Sequence, residues 1–165
     1  MIRNFFIQVL IAFLIFQTVS FLRETSMLET DINITKSNEL LFNNVPTLMG
    51  DFVSLESTDK NTIIYFFAPW CQICDVSISN LQNIYENNDQ LDVIAVALDY
   101  HDENEVRNFT KRHQLTFPIA LGNERIKQAF MISAYPSYYV ISDKNEIVGK
   151  SLGYSSELGL YLRTL

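Results

Sequence analysis

The only two cysteines of the chain stand in Trp70-Cys71-Gln72-Ile73-Cys74, two residues apart. A C-x-x-C pair can close and reopen a disulfide, hold a soft metal ion, or act as an inert staple. Its surroundings narrow the choice. Thr62-Ile63-Ile64-Tyr65-Phe66-Phe67 is an apolar run of strand length, and the residues from Asp75 to about Tyr85 have helical spacing. The first cysteine therefore falls near a helix N-terminus, where unpaired backbone N–H groups and the helix dipole favour a thiolate. Such a place can lower a cysteine pKa from ~8.5 to between ~3.5 and ~7.5. Cys71 is the expected nucleophile: its thiolate attacks a substrate disulfide to form a mixed disulfide. Cys74, about one turn on, then attacks Cys71 and releases the reduced substrate. The strand before the pair, Trp70 beside it and the helix after it outweigh the reading of an inert disulfide. A zinc site needs two more ligands, and His101 and His113 lie far along the chain without ligand spacing. Both histidines are expected at the surface or half-buried.

The elements that must position this pair follow from the pattern of apolar residues. In the helix after Cys71, Cys74, Ile78, Leu81 and Tyr85 share one face with Ile84 on its flank, and Val76 falls on the opposite side. Leu91 to Leu98 is a nearly continuous apolar run, which suits a strand covered on both faces. Asp102 starts a second helix with Val106, Phe109 and His113 along one side. Leu115 to Leu121 follows as a short strand or extended crossover, and Asn123 can cap a third helix carrying Ile126, Ala129 and Phe130. Ala134 to Ile141 reads as a strand entered through Pro136, with Tyr138 and Tyr139 as strand core and strand surface. Ser142-Asp143-Lys144-Asn145 turns the chain into a partner strand from Glu146 to Leu152. Leu158, Tyr161, Leu162 and Leu165 form an amphipathic stripe expected to pack a last helix on the sheet. Before all of these, Asp51 to Leu55 suits an edge strand or hairpin arm. The order predicts an α/β fold with a mixed central sheet flanked by helices.

With 165 residues the chain has room for one domain and a short appendage. The net charge of −7, without basic clusters, argues against a nucleic-acid partner. The beginning of the chain announces a membrane. Phe5 to Leu22 is an 18-residue run interrupted only by Gln8, Gln17, Thr18 and Ser20, with Arg3 before it. A cleaved signal peptide and an uncleaved anchor compete; run length and the poor cleavage site Thr18-Val19-Ser20 favour the anchor. The charge before the run places the amino terminus in the cytoplasm and the rest outside it. The organisation expected is an anchor over residues 1–23, a polar tether over 24–44 and a globular domain over 45–165.

Trp-Cys-x-x-Cys after such a strand resembles the thioredoxin superfamily. From about residue 45 to the tail Gly153-Tyr154-Ser155-Ser156-Glu157-Leu158-Gly159-Leu160-Tyr161-Leu162-Arg163, the chain is similar to the membrane-anchored, periplasmic TlpA/ResA branch. Within that branch it most resembles the suppressor-for-copper-sensitivity protein D type. The resemblance implies a thioredoxin-like fold and a redox-active disulfide between Cys71 and Cys74. It also implies a cis-proline at Pro136 facing the dithiol, with the backbone of Tyr135 open to a substrate strand. Trp70 could shield the sulfurs and offer substrate an apolar contact.

Two departures from the family pattern bear on proton transfer. Many relatives carry an acid six positions before the first cysteine, where this chain has Tyr65. ResA-type relatives often carry Glu three residues after the second, where it has Ser77. Asp75 on the helix points about 100° away from Cys74, which leaves water or the Tyr65 hydroxyl as acceptor for the Cys74 proton. Met131 to Pro136 also lacks the glycine-rich approach of the cytochrome-maturation branch, and Gln72-Ile73 adds no cation, so a moderate reductant is expected over a strong oxidant.

The function expected is a membrane-tethered thiol–disulfide oxidoreductase, an enzyme without a cofactor, that reduces disulfides of periplasmic proteins. The resemblance implies electrons from a membrane donor of the DsbD/ScsB type, a setting of copper or oxidative stress, and a bacterial inner-membrane protein of one pass. The alternative is a periplasmic copper-handling protein that uses the same dithiol as a Cu(I) site.

Overall fold

Strands β3 (Asn61–Phe67) and β4 (Leu91–Ala97) run in parallel at the centre of the domain, with Asn61 opposite Leu91 and Phe67 opposite Ala97. Both consist of nearly continuous apolar residues because both faces of the sheet are covered. The computed structural model of the chain describes residues 6–15, 18, 27–30, 33 and 42–164. In it a five-stranded sheet has the order β5-β4-β3-β6-β7. Strand β5 (Ile119–Leu121) is parallel to β4, while β6 (Ser137–Ile141) and β7 (Ile147–Leu152) form the antiparallel hairpin beside β3. A separate short hairpin, β1 (Val45–Pro46) with β2 (Phe52–Val53), touches the β5 edge through a bridge between Thr47 and Ala120.

Alternation along β3 divides the core in two. Ile63, Tyr65 and Phe67 face α1 (Gln72–Asn87), α2 (Glu103–Arg112) and α4 (Glu157–Leu162), in a cluster that also holds Cys71 and Cys74. Ile64 and Phe66 face the other way, towards Ile126 of α3 (Glu124–Ala129) and the following Phe130. The expected fold, a thioredoxin-like mixed sheet with helices on both faces, is the one observed. The helix ends follow the polar residues that cap them: the Asp102 side chain accepts from the N–H of Asn104, and the Asn123 side chain from those of Arg125 and Ile126. In α1, Cys74, Ile78, Leu81 and Ile84 are buried and Val76 is exposed, as the spacing predicts.

Three expectations need correction or extension. The stripe Leu158, Tyr161 and Leu162 does not pack on the sheet: these residues are 67%, 45% and 60% exposed, and Leu160 is the buried residue of α4. The Ser156 cap, accepting from the N–H of Gly159, phases the six-residue helix so that Leu160 enters the core beside α1. Leu165 lies outside the described residues. Tyr138 and Tyr139 are not core and surface; both are buried, because the second face of the hairpin is covered too. That cover comes from residues within the segment expected to be a polar tether. Met27 and Phe42 are 3% exposed, and Phe42 packs edge-on to Phe130 at 5.1 Å. The Leu28 N–H donates to Tyr139 Oη at 3.0 Å, Lys150 Nζ donates to the Leu28 carbonyl at 3.1 Å, and Asn33 bridges to Glu146. Packing therefore begins before residue 45. Of the apolar run Phe5–Leu22, residues 6–15 and 18 are helical and exposed, and the rest lies outside the described residues. Among the described residues no helix is long and apolar enough to cross a membrane.

Candidate active site

The end of β3 delivers the chain through Ala68-Pro69-Trp70 to Cys71, which is the N-cap of α1. Its backbone is extended (φ −79°, ψ 112°), which aims Sγ over the first turn, where it accepts the Cys74 N–H at 3.1 Å. One of the N–H groups left over at the helix start thus points at the sulfur that bears charge as a thiolate. Cys71 and Cys74 are joined as a disulfide with Cα atoms 5.2 Å apart. Cys71 is 7% exposed and Cys74 fully buried, so an incoming sulfur reaches Cys71 first. The difference in burial matches the order expected from the sequence, in which Cys71 is the nucleophile and Cys74 the resolving cysteine.

The Tyr135–Pro136 peptide bond is cis, in the segment that leads into β6. Tyr135 packs against both core clusters from the rim of the sheet, and its ring stands at right angles to Trp70 with centroids 5.9 Å apart. Trp70, next to Cys71 in the chain, is 62% exposed. With Ile73, 50% exposed and lying between the two cysteines in the sequence, it offers exposed apolar surface next to the dithiol. The structure therefore brings Trp70, Cys71, Cys74 and Tyr135 to the end of the sheet where β3 gives way to α1, with Pro136 leading into β6.

Behind Cys74 the groups are polar but uncharged. Tyr65 Oη lies 3.1 Å from Ser77 Oγ and donates to the Cys74 carbonyl at 3.5 Å, the same carbonyl that Ser77 Oγ reaches at 3.5 Å. Burial first, and Tyr138 beside it second, raise the Tyr65 pKa well above the ordinary tyrosine value. The hydroxyl therefore stays protonated and can relay a proton without keeping a charge. Tyr138 packs on Tyr65 at 4.9 Å between ring centroids. Its Oη is buried and lacks a hydrogen bond of ordinary geometry; Ser77 and the Ser155 backbone near it only partly offset the burial that pushes its pKa up to about 12. Ser151 and Ser155 continue this buried row of hydroxyls, 3.0 Å apart.

Asp75 is turned away from Cys74, as its helical position predicts. Its Oδ1 accepts from Arg112 at 2.5 Å and lies 2.6 Å from His113 Nε2. Partial burial pushes its pKa up, but the bonds to His113 and Arg112 outweigh this and hold it below the ordinary 3.8. His113 Nε2 is thus engaged with the Asp75 carboxylate, and among the described residues no group of three His, Cys, Asp or Glu is placed to hold a metal ion.

Sequence reasoning missed Asp99 and Lys127. Asp99 follows β4, and its backbone carbonyl accepts the Trp70 indole N–H at 2.8 Å. Its carboxylate accepts from Lys127 Nζ at 2.7 and 2.9 Å and from Tyr135 Oη at 3.0 Å. The one legible signal was a short polar residue at the end of a buried strand, where a left-handed backbone is tolerated; Asp99 has φ +48°.

Comparison with known proteins agrees with this geometry. A family model described as the AhpC/TSA family matches residues 42–150. Sporulation thiol-disulfide oxidoreductase A of Bacillus subtilis is 27% identical over 112 residues, covering 65% of this chain and 68% of that protein. Thiol-disulfide oxidoreductase ResA of Bacillus cereus is 28% identical over 113 residues, covering 66% and 65%. The matched part thus spans about two thirds of the length of these relatives. The crystal structure of StoA from Bacillus subtilis superposes with a TM-score of 0.66 at 23% identity, over 74% of this chain and 96% of that one, which shows the shared fold. By the match over most of its folded part, together with the cis-proline and dithiol on a five-stranded mixed sheet, the chain belongs to the AhpC/TSA family of thioredoxin-like proteins and is similar to its ResA and StoA thiol–disulfide oxidoreductases.

Proposed function

We propose that the chain is a thiol–disulfide oxidoreductase, tethered to the bacterial inner membrane, that reduces disulfides of periplasmic proteins. One observation carries the reading: Cys71 caps α1 at the rim of the domain while bonded to Cys74 sealed beneath it. In the reduced protein the Cys71 thiolate attacks one sulfur of the substrate disulfide. The substrate S–S bond breaks, the Cys71–substrate bond forms, and the departing substrate sulfur takes a proton. Cys74, having lost its own proton, attacks Cys71 Sγ, and the second substrate sulfur leaves as a thiol. Two electrons have passed to the substrate and the protein holds the Cys71–Cys74 disulfide.

The backbone of Tyr135, before the cis bond, is the edge on which an extended substrate segment pairs, and Trp70 supplies an apolar wall. Renewal of the dithiol calls for a membrane donor of the DsbD/ScsB type. The apolar run Phe5–Leu22 and the exposure of apolar side chains all round residues 6–15 support an anchor. The likeness to the suppressor-for-copper-sensitivity protein D type supports a role in copper or oxidative stress.

The test is reduction of insulin disulfides by the purified protein with a dithiol donor. Activity is expected for the wild type and background for Cys71→Ser with Cys74→Ser; equal activity in both overturns the reading. Tight Cu(I) binding by a dithiol that fails this assay would favour the copper-handling alternative. For the anchor, the full-length amino terminus is expected in the membrane fraction, and a mature terminus near residue 21 by mass spectrometry would contradict it.

A further inference from the structure

Four segments meet in front of the dithiol, and one carboxylate ties three of them together. Trp70 comes from the turn before α1, Asp99 from the turn after β4, Lys127 from α3 and Tyr135 from the approach to β6. The Asp99 carbonyl takes the Trp70 indole N–H, while its carboxylate takes both the Lys127 ammonium and the Tyr135 hydroxyl. The arrangement is held in place from behind. The Leu98 N–H donates to the Phe67 carbonyl at 2.8 Å, so the end of β4 is fixed beside the end of β3. Gly122 leads into α3 with room for no side chain, since a Cβ there would lie 2.8 Å from the Ala97 carbonyl oxygen. That close approach brings α3, and with it Lys127, to the same rim.

Asp99 itself sits at φ +48°, a conformation that costs a non-glycine residue energy and persists where the surroundings over-determine it. Neither a glycine, which would relieve the backbone, nor a residue without a carboxylate would make the three-way contact. The Asp99 and Lys127 side chains are 35% and 27% exposed, so as an isolated surface pair they would contribute little to stability. What the pair does instead is hold a phenol: the Tyr135 hydroxyl is drawn outward to Asp99, and its ring is pressed against Trp70.

We infer that Asp99 and Lys127 form a latch that holds the Tyr135 ring against Trp70, together forming one wall of the substrate groove, and so determines how well an extended protein segment is bound beside Cys71. The inference rests on the proposed thiol–disulfide exchange and deepens it. With the phenol drawn aside, the backbone of Tyr135 faces the groove; with the latch released, the ring is free to swing across it. Asp99 and Lys127 touch no reacting atom and are positioning residues. The substrate class that needs them is an extended polypeptide disulfide. A small aromatic disulfide, which reaches Cys71 without pairing to the Tyr135 backbone, does not.

The experiment is steady-state kinetics of the full chain on two substrates, insulin and 5,5′-dithiobis(2-nitrobenzoate). Asp99→Asn keeps a side chain that tolerates the left-handed backbone and keeps the carbonyl that holds Trp70, but removes the charge. It is expected to raise KM for insulin about fivefold, the size of one exposed charged contact, with kcat unchanged. Turnover of the small disulfide is expected to match wild type. Lys127→Met is expected to shift the insulin KM in the same direction. Tyr135→Phe combined with Asp99→Asn is expected to raise that KM no further than either change alone, because both break one contact. Trp70 is the only tryptophan, and its emission is expected to change in Asp99→Asn as the neighbouring ring is released. An unchanged insulin KM, additive effects in the double variant, or an equal loss on both substrates overturns the latch. Failure of the wild type on both substrates would instead refute the thiol–disulfide reading on which it rests.

Discussion

On the inner side of the Cys71–Cys74 bond stand the hydroxyls of Tyr65, Ser77 and Tyr138, without a single charge among them; on the outer side Asp75 pairs with Arg112 and Asp99 with Lys127, and His113 Nε2 lies at the Asp75 carboxylate. Burial explains the difference. Tyr65, Ser77 and Tyr138 are 0–1% exposed, and an ion there would lose its hydration with no counter-ion to replace it. Outside, water screens and solvates, so carboxylates and cations can be used to hold loops at small cost. The inner hydroxyls of Tyr65 and Ser77 gather at the Cys74 carbonyl, whereas the outer Asp99–Lys127 pair holds Tyr135 beside Trp70.

The comparison breaks most forcefully if charge is moved inward. Tyr65→Asp places a carboxyl in the fully buried site and removes a ring that packs on Phe67 and Tyr138. It is expected to destabilise the domain by roughly 3–5 kcal/mol, from the cavity and the buried acid together, read from the urea midpoint. A loss below about 1 kcal/mol would show that the inner side is wetter than its burial implies. Deleting single hydroxyls sharpens the contrast within the inner side. Tyr65→Phe loses a hydroxyl paired with Ser77 and is expected to cost about 1 kcal/mol. Tyr138→Phe removes a buried hydroxyl that lacks a hydrogen bond of ordinary geometry and is expected to raise stability by up to about 1 kcal/mol. Equal effects of the two substitutions would refute the difference in their bonding.

The smallest effect lies outside. The pKa values of Asp75 and Asp99 are lowered in the folded protein: partial burial opposes the shift, and His113 and Arg112 for one, Lys127 and Tyr135 for the other, prevail. Groups depressed in this way stabilise the fold above their unfolded pKa, near 3.8, and lose that contribution as pH falls through the lower folded values. Asp75→Asn should therefore lower thermal stability slightly at pH 7 and flatten its fall below about pH 4. A variant whose acid limb matches that of wild type would show that the Asp75 cluster contributes nothing.

Much of this was legible in the sequence because it is local. The dithiol, the strand before it and the helix after it lie within one continuous stretch, and the Asp102 and Asn123 caps act on residues two or three positions away. The parts that escaped depend on distant segments. Asp99 gains its importance from Trp70, Lys127 and Tyr135, which lie 28 or more positions away in the chain. Tyr139 reads as a surface residue until Leu28, 111 positions earlier, donates to its hydroxyl. The stripe on α4 has helical spacing without a surface to receive it, since the Ser156 cap turns Leu160 inward instead. Periodicity gives a face to a helix; only packing decides which face is covered.

The proposed exchange divides the labour between Cys71 and Cys74, and trapping the intermediate separates their roles. Cys74→Ser is incubated under reducing-then-oxidant-free conditions with an oxidised protein substrate, and the products are mapped by mass spectrometry without reduction. A mixed disulfide on Cys71 is expected to accumulate, while Cys71→Ser, whose remaining thiol is fully buried, traps none. Adducts on Cys74 in Cys71→Ser, or none on Cys71 in Cys74→Ser, would contradict the account.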